Sequence, residues 1–141
     1  MTVSEREELA LNPNTSVETL VELSKDKHWR VRKYVAGNPN TPQETLAELS
    51  RDDNDEVRLK VAKNSKTPVD TLDILSLDQD EWVRYWVAQN TNTPVETLDI
   101  LSRDQDESVR LKVAWNPKWK RLKEMGTLDQ AIAISKYLRI L

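Results

Sequence analysis

The sequence predicts an all-α fold: a helical solenoid of 26-residue, two-helix units, closed by a C-terminal capping helix. Two observations carry this. Asn12, Asn38, Asn64, Asn90 and Asn116 are spaced by 26 residues every time. On that register, eleven of the 26 columns are identical in all four full units, 12–37, 38–63, 64–89 and 90–115. In the second unit these are Asn38, Thr41, Thr45, Leu46, Leu49, Ser50, Asp52, Val57, Arg58, Val61 and Ala62. Residues 1–11 read as the back half of an earlier unit, since Leu9-Ala10 falls where Val35-Ala36 does. A fifth unit starts at 116–118 and soon departs from the pattern, so the array is assigned to 1–118 and the cap to 119–141.

Each unit reads as two short helices. Thr41-Pro42-Gln43-Glu44 predicts the first start, with Thr as N-cap, Pro at the first helical position and Glu closing a capping box. Thr15/Glu18, Thr67/Asp70 and Thr93/Glu96 repeat it. Leu46 and Leu49 share a face. That helix is short enough by this spacing to be α or 3₁₀. The second helix is expected to start near Asp26, Asp52, Asp78 and Asp104, acting as caps, with further acids complementing the helix dipole. Val57 and Val61 point inward and Ala62 permits close approach of the next unit. The helix is expected to end at the Asn column in a left-handed conformation, with Pro39 and Pro117 blocking continuation. Arg32, Arg58, Arg84 and Arg110 lie at the edge of the buried stripe, where a ladder of Arg–Asp pairs along the array is expected.

The segment Val31-Arg32-Lys33-Tyr34-Val35-Ala36-Gly37-Asn38-Pro39-Asn40-Thr41-Pro42 resembles the variant leucine-rich repeat family, whose units carry a V-R-x-x-V-A-x-N-P-x-T-P core followed by a short Leu-bearing helix. The D-x-x-x-x-V-R element is also similar to the first helix of HEAT-type repeats. The resemblance spans about residues 5–118. It implies a right-handed superhelix of alternating α and short, often 3₁₀, helices. A member of that family carries a Cys-rich iron–sulfur segment; this chain has no cysteine, so that property does not transfer. Family membership supplies a fold and not a function.

Composition narrows the classes. The absence of cysteine excludes disulfides, thiolate metal sites and a cysteine nucleophile. A net charge of −3 gives no global pull towards nucleic acid or anionic lipid. The N-terminus is charged with no apolar run behind it, and no stretch reaches the ~18 apolar residues of a spanning helix. A soluble cytoplasmic protein is expected, without membrane, metal or cofactor.

Invariant columns hold such a stack together, so function is sought in the variable ones. On the second helix the outward columns hold Arg30, Lys33, Tyr34 and Gly37; then Glu56, Leu59, Lys60 and Lys63; then Trp82, Tyr85, Trp86 and Gln89; then Ser108, Leu111, Lys112 and Trp115. Trp, Tyr and Arg are frequent interface anchors. The expected partner-binding ridge is therefore Tyr34, Trp82, Tyr85, Trp86, Leu111 and Trp115, flanked by Arg30, Lys33, Lys60 and Lys112. The competing reading packs some of these rings, with Trp29, between neighbouring units. The leading function is a non-enzymatic protein-binding scaffold. The alternatives are nucleic-acid binding, with Lys118, Trp119, Lys120, Arg121 and Lys123 added, and a homo-oligomeric structural component.

Other features are read as structural. Glu18, Glu22, Glu44, Glu48, Asp70, Asp73, Glu96 and Asp99 form an acidic face on the first helices, interrupted by Ile74, Leu77 and Ile100. The acid runs at 52–56 and 78–81 lack the glycine and distant Glu of a calcium loop. His28 is a turn residue without a catalytic neighbourhood, and Ser24, Ser50, Ser76 and Ser102 make local hydrogen bonds. In the terminal helix, Leu128, Ile132 and Ser135 share a face with Ala131, Leu138 and Leu141 beside it. Ile134, Tyr137 and Ile140 on the other side offer a second reading, docking of another chain.

Overall fold

The computed structural model describes residues 1–140, with side chains through residue 136. The expectations for Tyr137, Leu138, Ile140 and Leu141 fall outside the described side chains. Among the described residues all regular structure is helical. Nine-residue helices α1 (Val3–Leu11), α3 (Trp29–Gly37), α5 (Asp55–Lys63), α7 (Glu81–Gln89) and α9 (Glu107–Trp115) alternate with shorter ones. The short helices, seven residues each, are α2 (Val17–Leu23), α4 (Gln43–Leu49), α6 (Val69–Leu75) and α8 (Val95–Leu101). The long helices stack in order, each on the next, and each short helix packs against the long helix on either side of it in sequence. The result is a helical solenoid with its inter-unit packing in the long-helix layer. The short helices are α-helical and not the 3₁₀ form that the resemblance allowed.

The core follows the repeat. Val31, Val35, Val57, Val61, Val83 and Val87 are fully buried, as are Leu20, Leu46, Leu72 and Leu98. Ala10, Ala36, Ala62 and Ala88 are equally buried, where a larger side chain would hold neighbouring long helices apart. Val3, Leu9 and Ala10 bring α1 into the same stack, as the half-unit reading expects.

The Arg ladder forms. The guanidinium of Arg32 donates to both oxygens of Asp52 (Nε–Oδ2 2.7 Å), Arg58 to Asp78 (2.8 Å) and Arg84 to Asp104 (2.8 Å). Arg6 extends it one unit back, reaching Asp26 at 2.6 Å. Each forked contact spans to the next unit. The remaining Nη1 of Arg32, Arg58, Arg84 and Arg110 donates to the backbone carbonyl of the Asp six residues earlier. Both the Asp hydrogen bond and its negative charge push the Arg32, Arg58 and Arg84 guanidinium groups above their usual value, so they stay cationic.

Three expectations about helix ends are corrected. First, Thr41, Thr67 and Thr93 are not N-caps; Pro42, Pro68 and Pro94 hold that position with no side-chain cap bond. The Thr hydroxyls turn back instead and donate to Val35, Val61 and Val87 carbonyls at 2.6 Å, as second donors to oxygens that already accept the Asn38, Asn64 and Asn90 backbone amides. In the first unit Ser16 is the cap and Thr15 bonds the Leu9 carbonyl. The one capping box described is Thr2–Glu5 at α1. Second, Asp52, Asp78 and Asp104 do not cap the long helices. The caps are His28, Asn54, Asp80 and Asp106, each accepting from the amide two residues on. His28, read as a turn residue, thus serves as a cap through Nδ1.

Third, the Asn column is extended and not left-handed, with Asn38 at φ −76° and ψ 129°. Its side chain does the work instead. Asn38 Nδ2 donates to the Ala10 and Asn12 carbonyls at 2.7 and 2.9 Å. Asn64 and Asn90 repeat both bonds one unit on, and Asn116 bonds the Ala88 carbonyl. Each amide oxygen accepts from the backbone two residues ahead. The column is buried, so these amides staple each unit to the one before it. The Ser column behaves as expected, donating to the carbonyl three residues back.

The C-terminal segment forms two helices, α10 (Pro117–Glu124) and α11 (Leu128–Ile140), where one was expected. Pro117 starts α10 at its first turn, so the expected division at 118/119 falls inside that helix. Gly126, at φ 69°, ends α10: the Thr127 amide reaches the Leu122 carbonyl and the Gly126 amide that of Lys123. α11 packs on α8, burying Ile132 and Leu128 against the last unit.

Asn90→Ala orphans the buried Ala62 carbonyl and should lower stability by about 1–3 kcal/mol in denaturant melts, while Asn90→Asp should do no better because it faces carbonyls with acceptors. Arg58→Ala should cost about 2 kcal/mol, less than the ~3–5 of a fully buried pair, because both partners keep about a tenth of their surface (12% and 10%). Burial raises the Asp26 carboxyl, but hydrogen bonds from Arg6 and the His28 amide outweigh it and hold the group below its usual value. Its stabilising contribution is therefore present above the unfolded value of about 4 and lost as pH falls through the folded value. Thermal melts of wild type and Arg6→Ala should converge as pH is lowered through that window.

Candidate functional site

The outward columns of the long helices meet on one surface, but not uniformly. Val83 and Val87 face inward, which turns Trp82, Tyr85 and Trp86 to the outer and inter-unit sides of α7. Trp82 is half exposed (50%), and Leu111 (53%) and Trp115 (68%) on α9 are more so. Tyr34, Tyr85 and Trp86 are half-buried and packed on the core, as are Leu59 and Trp29. The ridge thus divides: Trp82, Leu111 and Trp115 are open, and the other rings fill spaces between units.

The three rings of α7 form one cluster. Trp82 meets Tyr85 edge-on at 5.4 Å, and Tyr85 meets Trp86 edge-on at 5.5 Å. Neighbouring units supply ammonium groups to it. Lys63 Nζ lies 4.5 Å from the Trp86 ring centre, and Lys112 Nζ 5.3 Å from that of Tyr85. Lys33 serves Trp29 and Tyr34 at 5.2 and 5.1 Å, and also reaches Glu56 at 3.4 Å. Lys120 sits 5.5 Å from the Trp115 ring centre. Arg30 lies apart from these rings and approaches Glu7 at 3.7 Å. Lys63, in an outward column but outside the expected ridge, and Lys120, expected only in the nucleic-acid alternative, join the surface. Their signal is positional: each lies in an outward column or turn beside a Trp in the neighbouring element.

The C-terminal basic segment does not offer a stacking ring. Trp119 is buried at 7% exposure and belongs to the core, which removes it as a base-stacking residue. Lys118 Nζ donates to the Thr93 carbonyl at 2.7 Å, and burial pushes its ammonium below the usual lysine value. Lys120, Arg121 and Lys123 are exposed.

On the short helices Glu18, Glu22, Glu44, Glu48 and Asp70 are exposed, with Ile74, Leu77 and Ile100 beside them. Asp73 accepts from Thr97 of the next unit at 2.5 Å and Asp99 pairs with Arg103 at 2.7 Å, so part of the acidic face holds the short-helix layer together. In the runs at 52–56 and 78–81, Asp52 and Asp78 pair with Arg and Asn54 and Asp80 are caps, and among the described residues no cluster of His, Cys, Asp or Glu could hold a metal ion. Among the described residues no helix is long and apolar enough to cross a membrane.

The family model described as leucine rich repeat variant matches residues 29–54. That span is one period, from the first residue of α3 to the cap of α5. No curated protein matches the sequence.

The division of the ridge has a direct consequence for stability. Trp82→Ala should change the unfolding free energy by less than about 1 kcal/mol, and Trp86→Ala should cost about 2–3 kcal/mol, measured by denaturant titration.

Proposed function

We propose that this solenoid, one period of which matches the leucine rich repeat variant model, is a non-enzymatic scaffold that binds a partner protein through the open part of its long-helix ridge. The observation that carries the reading is the placement of Trp82, Leu111 and Trp115. These three large apolar side chains are at least half exposed on adjacent long helices. Large apolar residues grouped on a surface mark interaction sites. Trp is the residue most enriched among interface hot spots. The columns that repeat identically are occupied elsewhere: Asn, Arg, Asp, Thr, Val and Ala bind unit to unit.

Lys112, on the same helix as Leu111 and Trp115 and reaching Tyr85 of α7, supplies a polar rim, the usual surround of an apolar interface centre. Tyr85 meets the exposed Trp82 edge-on and is backed by Trp86, which supports the open ring, while Tyr34 packs on the core. Nucleic-acid binding through the same face is the weaker reading, because the basic C-terminal segment has lost its ring to the core. Catalysis finds no support: His28 and the recurring Ser residues are engaged in cap and turn hydrogen bonds.

Affinity capture from lysate of the source cells tests the reading. Wild type is compared with Trp82→Ala/Leu111→Ala/Trp115→Ala, all exposed positions, with matched melting curves. A partner held by wild type and lost by the variant is the expected result. Identical captured sets would refute the ridge.

A further inference from the structure

The clefts between successive long helices, at their C-terminal ends, carry charge of one sign. Lys60 and Lys63 line the first, of about 280 Å³, and Lys63 and Trp86 the second, of about 230 Å³. Lys112 and Trp115 line the third, of about 280 Å³, and Lys118 and Arg121 the one beyond it, of about 200 Å³. No Asp or Glu lines any of the four, although the chain has 24 acidic residues against 21 basic ones. The acids lie at the opposite ends of the same helices, as Asp55, Glu56, Glu81 and Glu107.

Dipole complementarity accounts for a cation near a helix C-terminus. It does not account for two lysines crowded in one cleft. Lys60, Lys63 and Lys112 make no ion pair among the described residues, and two of them rest on rings of an adjoining unit. Burial and then repulsion from Lys63 and Lys33 hold the Lys60 ammonium below its usual value, a cost that a bound anion would relieve.

We infer that this run of clefts binds an extended acidic peptide segment of the partner, a deepening that rests on the scaffold reading above. The chemistry favours a peptide over a nucleic-acid strand. Lys63 and Lys120 already lie over the Trp86 and Trp115 rings, so a stacking base competes with an ammonium for that face, whereas a carboxylate binds the ammonium where it stands.

Geometry sets the spacing of the peptide's carboxylates. Packed helices stand about 8–10 Å apart, and an extended or polyproline-type chain advances about 3.1–3.3 Å per residue, so successive clefts are about three residues apart along the ligand. A polyproline-type segment presents every third side chain to the same side. The partner segment therefore carries Asp or Glu at every third position.

The test uses fluorescence anisotropy with fluorescein-labelled peptides on the whole chain. The probes are a peptide of repeated Glu-Pro-Ala triplets, its Lys-Pro-Ala counterpart, an isomer with all Glu residues in one block, and an oligothymidylate of similar charge. Wild type should bind the Glu triplet peptide most tightly. Lys60→Glu/Lys63→Glu/Lys112→Glu should weaken it at least about tenfold, the sum of several modest surface pairs. Lys60→Gln/Lys63→Gln/Lys112→Gln guards against misfolding and should also weaken it. Unchanged affinity in both variants, or equal binding of the Lys peptide, overturns the acidic ligand. Tighter binding of oligothymidylate moves the clefts to nucleic acid and overturns it too. Equal binding of the block isomer overturns the triplet spacing. A captured partner lost on mutating Trp82, Leu111 and Trp115 but kept by the lysine variants leaves the scaffold standing and removes this inference. Peptide binding lost only in the lysine variants, with the captured set unmoved by the Trp82 variant, does the reverse.

Discussion

Each unit hands the amide of its asparagine to the backbone of the unit before it. Asn64 donates to Ala36 and Asn38, and Asn90 to Ala62 and Asn64. These bonds need the two backbones close, which is why Ala and no larger residue occupies the buried position beside them. They also need the carbonyls at the ends of the long helices left open by the backbone itself. The Thr hydroxyl takes the Val carbonyl one residue earlier in the same turn. Stacking distance, helix termination and unit register are thus set by one buried polar cluster repeated down the array.

This arrangement explains how a chain with 38% hydrophobic residues and no Phe forms a stack. Each unit buries a few Val, Leu and Ala side chains, a modest apolar contribution. The Arg–Asp forks and Asn amides add directional bonds at the same interface, and among the described residues no buried side-chain polar atom lacks a hydrogen-bond partner. A buried polar cluster costs little when every member is satisfied and a great deal when one is removed. Repeats therefore hold these columns together as a set.

The period, the buried Val, Leu and Ala columns and the Arg ladder were legible in the sequence, because each depends on spacing or on complementary charge. The Asn and Thr columns were misread for a physical reason. Local preference makes Thr before Pro an N-cap and Asn after a helix a left-handed terminator. Here both side chains reach backbone from outside their own helix, and Asn38 bonds residues 26 and 28 positions back. The true cap column was obscured by its variety: His28, Asn54, Asp80 and Asp106 share only an acceptor two residues before an open amide. The ridge was legible as a set of columns but not in its exposure. Trp86 and Tyr85 turn into the gaps beside Lys63 and Lys112 of adjoining units, a consequence of stacking that one unit cannot reveal.

The end of the array shows what the ladder requires. Arg110 keeps its bond to the Asp104 carbonyl but has no carboxylate partner among the described residues, because no unit follows to supply one. Asn116 still staples backwards, to Ala88. Its own unit then changes character: Pro117 starts a helix at once, Gly126 turns the chain, and Ile132 with Trp119 covers the exposed edge with apolar surface. The backward-facing bonds survive and the forward-facing ones are replaced by hydrophobic closure. That asymmetry means that the polar cluster fixes a unit from its predecessor. The variable columns on the outer surface carry structural duty only where a ring fills an inter-unit gap or a charged side chain pairs across it, as Lys33 does with Glu56 and Arg30 with Glu7. Trp82, Leu111 and Trp115 keep half or more of their surface open, which leaves them available to a partner.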